Sequence, residues 1–158
     1  MTTDFEFTRE IFITLSFAAF AGISLGLNRW LHHKAAGLRT HAIVAIGAAL
    51  VMLLISMVEG GDAQAKSHVL QGLITGVGFI GAGVILHKGA SEAIKGLTTA
   101  ASIWTCALIG ASFGAGLAVL GFSALFFVML ILIIGRPLEE LTARLLNVER
   151  ASELDGEK

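Results

Sequence analysis

The chain has 158 residues, 55% of them hydrophobic and only 15% charged, with a mean hydropathy of +0.81. A water-soluble domain of this length needs more polar surface, so the composition points to a membrane protein. A net charge of −1 excludes a bulk basic field for nucleic acid, and a single cysteine, Cys106, excludes an intrachain disulfide and a cysteine-based metal cluster.

Four runs carry no charged residue: 11–28, 42–58, 69–86 and 96–135. The first three sit near the lower limit of the roughly 17–25 apolar residues that span a bilayer as a helix. The fourth is too long for one crossing and must fold back. Its best break is "GASFGAG", Gly110–Gly116, where glycine is densest. The expected fold is therefore an all-α membrane protein with five transmembrane helices, at about 11–28, 42–58, 69–86, 97–114 and 117–135. Together these make a membrane domain over 1–136. The first run is read as a retained helix rather than a signal peptide. The stretch before it, "MTTDFEFTRE", is net acidic, and no small-residue cleavage site follows.

Five crossings put Arg29, Lys34, Arg39, Lys88, Lys95, Arg136, Arg144, Arg150 and Lys158 on one side, and only Arg9 and Lys66 on the other. The positive-inside rule then sets the N-terminus outside and the C-terminus in the cytoplasm.

The third run contains "GVGFIG", Gly76–Gly81, which matches the dinucleotide-binding pattern G-x-G-x-x-G. That fold needs a buried strand before the turn and a second strand after it. Here the glycines lie inside an apolar run of membrane length, so they are read as packing residues. At about 100° per residue, Gly72, Gly76 and Gly83 share one side of the helix, and Gly78 and Gly81 lie roughly opposite. In lipid, small residues let helix backbones approach closely. A helix bare on two sides is expected to be central, gripped by two neighbours. Thr99, Cys106, Gly110 and Gly114 form one small face on the fourth run, a natural partner for the third. The fifth run is bulky all round and is expected to face lipid.

No Asp, Glu, Lys or Arg lies in the middle of a run. The polar groups there, Gln71, Thr75, Ser102 and Thr105, are read as interhelical hydrogen-bonding groups. The expected cytoplasmic ends are richer. "GLRTHA" (37–42) opens the second run and "GLTTAA" (96–101) the fourth, so two helix N-termini face the cytoplasm, with Thr40 and Thr98 or Thr99 as expected caps. Their free N–H groups, with Arg29, Arg39 and His41, make an anion-friendly surface, suited to lipid headgroups, a nucleotide or an acidic partner. Gly37 and Gly96 open the two motifs. The neighbouring segments "LHHKAAGLRTHA" and "LHKGASEAIKGLTTAA" share a faint internal repeat. After Pro137 the spacing of Leu138, Leu141, Leu145 and Val148 predicts a separate amphipathic helix, a cytoplasmic tail over 137–158.

"GLRTHAIVAIGAAL", "GVGFIGAGVIL" and "GLTTAASIW", in that order, resemble the MgtC/SapB family of bacterial inner-membrane proteins. The motif positions carried over are Gly37, Leu38, Arg39, Thr40 and His41. Then come Gly76, Gly78, Phe79, Gly81, Ala82 and Gly83, followed by Gly96, Leu97, Thr98, Thr99, Ala100 and Trp104. The resemblance implies a five-helix membrane domain in the bacterial inner membrane. For some relatives it implies a role in growth at low magnesium and survival inside host cells, with the F-type ATP synthase as a proposed partner. This chain departs from the family in having Gly26-Leu27-Asn28-Arg29 where many relatives have Gly-x-Glu-Arg. The residues after Arg136 are too few for the soluble C-terminal domain of better-studied relatives, so functions residing there are not expected.

The expected function is that of a regulatory or interaction protein, acting by helix contacts with membrane partners or as a homo-oligomer. The alternative is a transporter or channel for magnesium or another ion, with the third span broken at its glycines. No nucleophile–base pair, cofactor motif or metal set stands at legible spacing, so an enzyme is not expected.

Overall fold

A computed structural model of the chain describes residues 2–58, 63–85 and 95–155, and every structural statement below concerns these. The described residues form five helices and no strand: α1 (Thr2–Leu31), α2 (Leu38–Val58), α3 (Ala63–Ala82), α4 (Leu97–Gly114) and α5 (Ala118–Asp155). Four are long and apolar enough to cross a membrane: Glu6–Leu31, Leu38–Val58, Leu97–Gly114 and Ala118–Leu146. The third expected span is the exception. Its helix starts earlier than expected, in the polar stretch "AQAKSH", and ends at Ala82, while Leu86 lies outside the described residues. The helix is unbroken through Gly72, Gly76, Gly78 and Gly81.

The chain divides into two compact units, residues 1–125 and 126–158. In the first, α2 and α4 run parallel in a fixed register. A Cβ on Gly110 would overlap the Ala45 carbonyl oxygen, and one on Gly114 would overlap that of Ala49. One turn earlier, Cys106 Sγ donates to the His41 carbonyl at 3.3 Å. These contacts recur every four residues, so one stripe of α4 follows one stripe of α2. Against the other side of α2 lies α1, antiparallel. Gly22 meets His41 and Ala42, and Gly26 meets Gly37 and Leu38, each with 2.6 Å to the nearest backbone atom from an added Cβ. The interior of this seam is made of small side chains: Ala18, Ala21, Ala45, Ala48 and Ala49 are all essentially buried.

The small face expected on α4 is real, but its partner is α2, not α3. The alanine pair Ala45 and Ala49 supplies the matching stripe. Nor is α3 gripped on two glycine faces. It meets the bundle through Val69, Leu70, Leu73 and Val77, which pack on Met52, Ile103, Ala107 and Ala111. Of its glycines only Gly81 touches a neighbour, Ala100, at ordinary van der Waals distance. Gly72, Gly76 and Gly78 meet nothing within 4 Å, and Gly83 meets only the end of its own helix. Phe79, beside them, is 82% exposed.

Two helix ends are closed by the same hydrogen-bond pattern. At the end of α4, Gly116 adopts φ 79°, Leu117 N donates to Ser112 O at 2.8 Å, and Gly116 N donates to Phe113 O at 2.9 Å. At the end of α1, His33 takes φ 52°, with Lys34 N on Arg29 O at 3.0 Å and His33 N on Trp30 O at 3.0 Å. Both are Schellman caps, which satisfy the last carbonyls of a helix. The break inside the long apolar run therefore falls at 115–117, at the far end of the expected stretch and one residue past it, while Gly110 and Gly114 remain helical. Beside this turn, Phe113 stacks edge-on with Phe122 at 4.9 Å and lies 5.8 Å from Phe17. Gly121 makes room for it, since a Cβ there would come 2.7 Å from the Phe113 ring.

The second unit is the remainder of α5. The helix continues through Pro137 instead of restarting after it, so the tail is not a separate element. Proline removes one backbone N–H and crowds the carbonyl four residues back, yet a helix with exposed flanks tolerates this as a kink or a missing bond. Leu138, Leu141 and Leu145 are exposed along it.

Candidate functional site

The C-terminal end of α1 and the N-terminal ends of α2 and α4 meet at one end of the first unit. The meeting is built from the segments "GLNR", "GLRTHA" and "GLTTAAS". Glycine makes it possible at two points: Gly26 lets α1 touch the start of α2, and Gly96, at φ 98°, lets the chain enter α4 against Val84. Five polar side chains are buried there: Asn28, Arg29, His41, Thr99 and Ser102.

They form a chain of hydrogen bonds across three helices. Arg29 Nη2 donates to Thr99 Oγ1 at 2.7 Å, joining α1 to α4. Ser102 Oγ donates to Thr99 O at 2.8 Å and lies 3.0 Å from His41 Nε2, joining α4 to α2. His41 Nδ1 lies 3.0 Å from Gly37 O. A carbonyl can only accept, so Nδ1 is the donor in that pair. In the neutral imidazole, Nε2 then accepts from the Ser102 hydroxyl, whose single proton serves two acceptors, Nε2 and Thr99 O. Arg29 is 5% exposed, and a guanidinium stays protonated even when buried. The cluster therefore carries a fixed positive charge at its centre.

The residues expected at this end divide between the interior and the surface. Arg29, His41 and Thr99, expected on an anion-friendly surface, are inside the bundle. Ser102, expected to bond between helices, does so. Arg39, Thr40 and Thr98 are exposed, while Gly37 is the acceptor for His41. The expected caps are absent: α2 begins at Leu38, which puts Thr40 within it, and α4 is capped by Gly96 with no side-chain hydrogen bond. Thr99 is committed to Arg29 instead. Gln71 and Thr75 are exposed on α3, and the hydroxyls of Thr75 and Thr105 bond to carbonyls of their own helices, so none of these three joins helices through the bonds identified. Asn28, which stands where many relatives have an acid, is buried beside Arg29. Its neighbours Leu25 and Gly26, both buried, were the available signal that this turn of α1 faces inward. Lys88, expected on the cytoplasmic side, lies outside the described residues. Among the described residues no group of three or more His, Cys, Asp or Glu is placed to hold a metal ion.

The model of the MgtC family matches residues 15–141, which contain the whole buried cluster. YhiD of Escherichia coli K12, provisionally named a magnesium transporter, is 40% identical over 147 residues, covering 89% of this chain and 66% of its own length. SrpB of Synechococcus elongatus is 40% identical over 75% of this chain and 70% of its own length. MgtC of Brucella abortus is 36% identical over 78% of this chain and 50% of its own length. The chain thus spans one half to about two thirds of the YhiD and MgtC proteins it matches. No solved structure matches. On the family match and its apolar helices, this chain belongs to the MgtC family and is a multi-pass protein of the bacterial inner membrane.

Proposed function

We propose that the chain is a non-enzymatic regulatory or interaction protein of the inner membrane, linked to adaptation to low magnesium or stress through contacts with membrane partners. The observation that carries this reading is the buried Arg29 at the centre of the polar cluster. A fixed guanidinium charge repels a divalent cation, and magnesium sites are usually built on carboxylates. A transport pathway through this end of the bundle would have to pass it. The F-type ATP synthase or a second copy of the chain would be the partner by resemblance to relatives.

The proposed topology has five crossings, with the N-terminus outside and the C-terminus in the cytoplasm. It is supported by helix direction. Since α2 and α4 run parallel and both begin at the polar end, the chain must return between them, and α3 is the segment available. Its length of 20 residues corresponds to about 30 Å, enough to make that return.

Magnesium transport is the second reading, favoured by the name of the E. coli relative. Liposomes containing only the purified full chain separate the two. The regulatory reading predicts no magnesium uptake above protein-free liposomes, together with impaired growth of a deletion strain at low magnesium. Uptake that rises with protein content would establish the second reading instead.

A further inference from the structure

A cleft of about 400 Å³ opens at the end of the first unit opposite the polar cluster, where α4 ends and α5 begins. Met52, Leu70, Leu108, Ala111, Leu120 and Ala124 give it apolar walls. It also includes Thr105 and Ser112, but their hydroxyls donate to Ala101 O and Leu108 O of their own helix, both at 2.8 Å. A water molecule needs two to four polar partners, and this lining has spent its donors, so water is a poor occupant. An empty cleft would forfeit dispersion contacts along all its walls. Something apolar must fill it.

The cleft follows α4 from residue 105 to residue 115, about 15 Å, a path along which one extended hydrocarbon chain can lie. A charge stands at the matching place. Lys66 lies one turn before Leu70 on the same face of α3, and it makes no ion pair among the described residues. A lysine stem can lie along apolar surface and hold its ammonium at headgroup level.

We infer that this cleft is a binding site for one anionic phospholipid, with an acyl chain between α3 and α4 and its phosphate at Lys66. Tail contact alone confers little preference, because acyl chains are equally apolar elsewhere in the bilayer. Headgroup selectivity therefore rests on Lys66, and retention rests on the fit of the tail.

The test uses the full chain, purified and delipidated, then offered phosphatidylglycerol or phosphatidylcholine and examined by native mass spectrometry. The wild type should retain one phosphatidylglycerol in preference to phosphatidylcholine. Lys66→Gln, an uncrowded surface change, should reduce that preference about fivefold, while Lys34→Gln at the opposite end leaves it unchanged. Ala124→Phe should fill the cleft and abolish retention of either lipid, with thermal melting to verify folding. Equal retention of both lipids by the wild type, or an unchanged preference in Lys66→Gln, overturns the assignment. So does an Ala124→Phe variant that keeps its lipid but loses self-association, which would make the cleft a contact between copies of this chain.

Discussion

Gly110 and Gly76 are both glycines in the middle of apolar helices, and their circumstances are opposite. Gly110 has the backbone of α2 against it, so close that a methyl group would overlap the Ala45 carbonyl. Gly76 has open space. The α2–α4 seam is made by backbones in contact and small side chains between them. The α3 contact is made by Val69, Leu70, Leu73 and Val77, ordinary bulky side chains against Ile103, Ala107 and Met52. In a bilayer, where lipid competes equally for apolar surface, the close backbone seam supplies dispersion contact that lipid cannot reproduce. The density of glycine in a helix thus does not reveal how tightly it is held. What decides is whether a neighbour presents a matching stripe of small residues at the same register.

The largest effects should come from forcing a side chain into a backbone contact, as on the α1–α2 side of the bundle. Gly26→Leu places a side chain where only 2.6 Å separates an added Cβ from the Leu38 backbone. Backbone cannot step aside as a side chain can, so the loss should exceed the about 1–3 kcal/mol usual for overpacking. Reversible unfolding in bicelles would measure it, and wild-type stability would break the comparison. Next is Arg29→Met, which keeps the apolar stem and leaves Thr99 Oγ1 without its donor. It should cost about 1–3 kcal/mol by the same measurement. The smallest effects belong to Thr40→Ala and Thr98→Ala. Both threonines are exposed and neither caps a helix, so each change should stay within about 0.5 kcal/mol. A loss near 1 kcal/mol would instead mark a true N-cap and return these residues to the role their sequence suggests.

Much of this architecture is written in the order of the residues. The fourth span was expected at 97–114 and the helix occupies Leu97–Gly114, because an uncharged run bounded by Gly96 and Gly116 leaves little freedom. Two of the three motif segments that carry the family likeness, those opening α2 and α4, meet in space, while the third leaves Gly76 and Gly78 open on α3. Glycine and threonine at the starts of α2 and α4, with Arg29 at the end of α1, are what a three-way polar junction needs. What could not be read was pairing. The small stripe of α4 was visible, but Ala45 and Ala49 of α2 are ordinary helix residues and do not announce a partner. Thr99 illustrates the same limit: its position in the sequence suits a cap, and only the approach of α1 diverts its hydroxyl to Arg29. The course of α5 through Pro137 was hidden for a related reason. Proline disfavours a helix interior by a local cost, and a helix with exposed flanks, as α5 has around Pro137, tolerates it.

The claim on which the account stands is that α4 is clamped to α2 by backbone contact while the glycine face of α3 is open within one chain. Reversible unfolding of Gly110→Leu and Gly76→Leu, side by side in the same bicelles, tests it most directly. Gly110→Leu should lose several kcal/mol, beyond the usual overpacking cost, and Gly76→Leu should stay within about 0.5 kcal/mol of the wild type. Equal losses in the two variants, or a larger loss in Gly76→Leu, would contradict it.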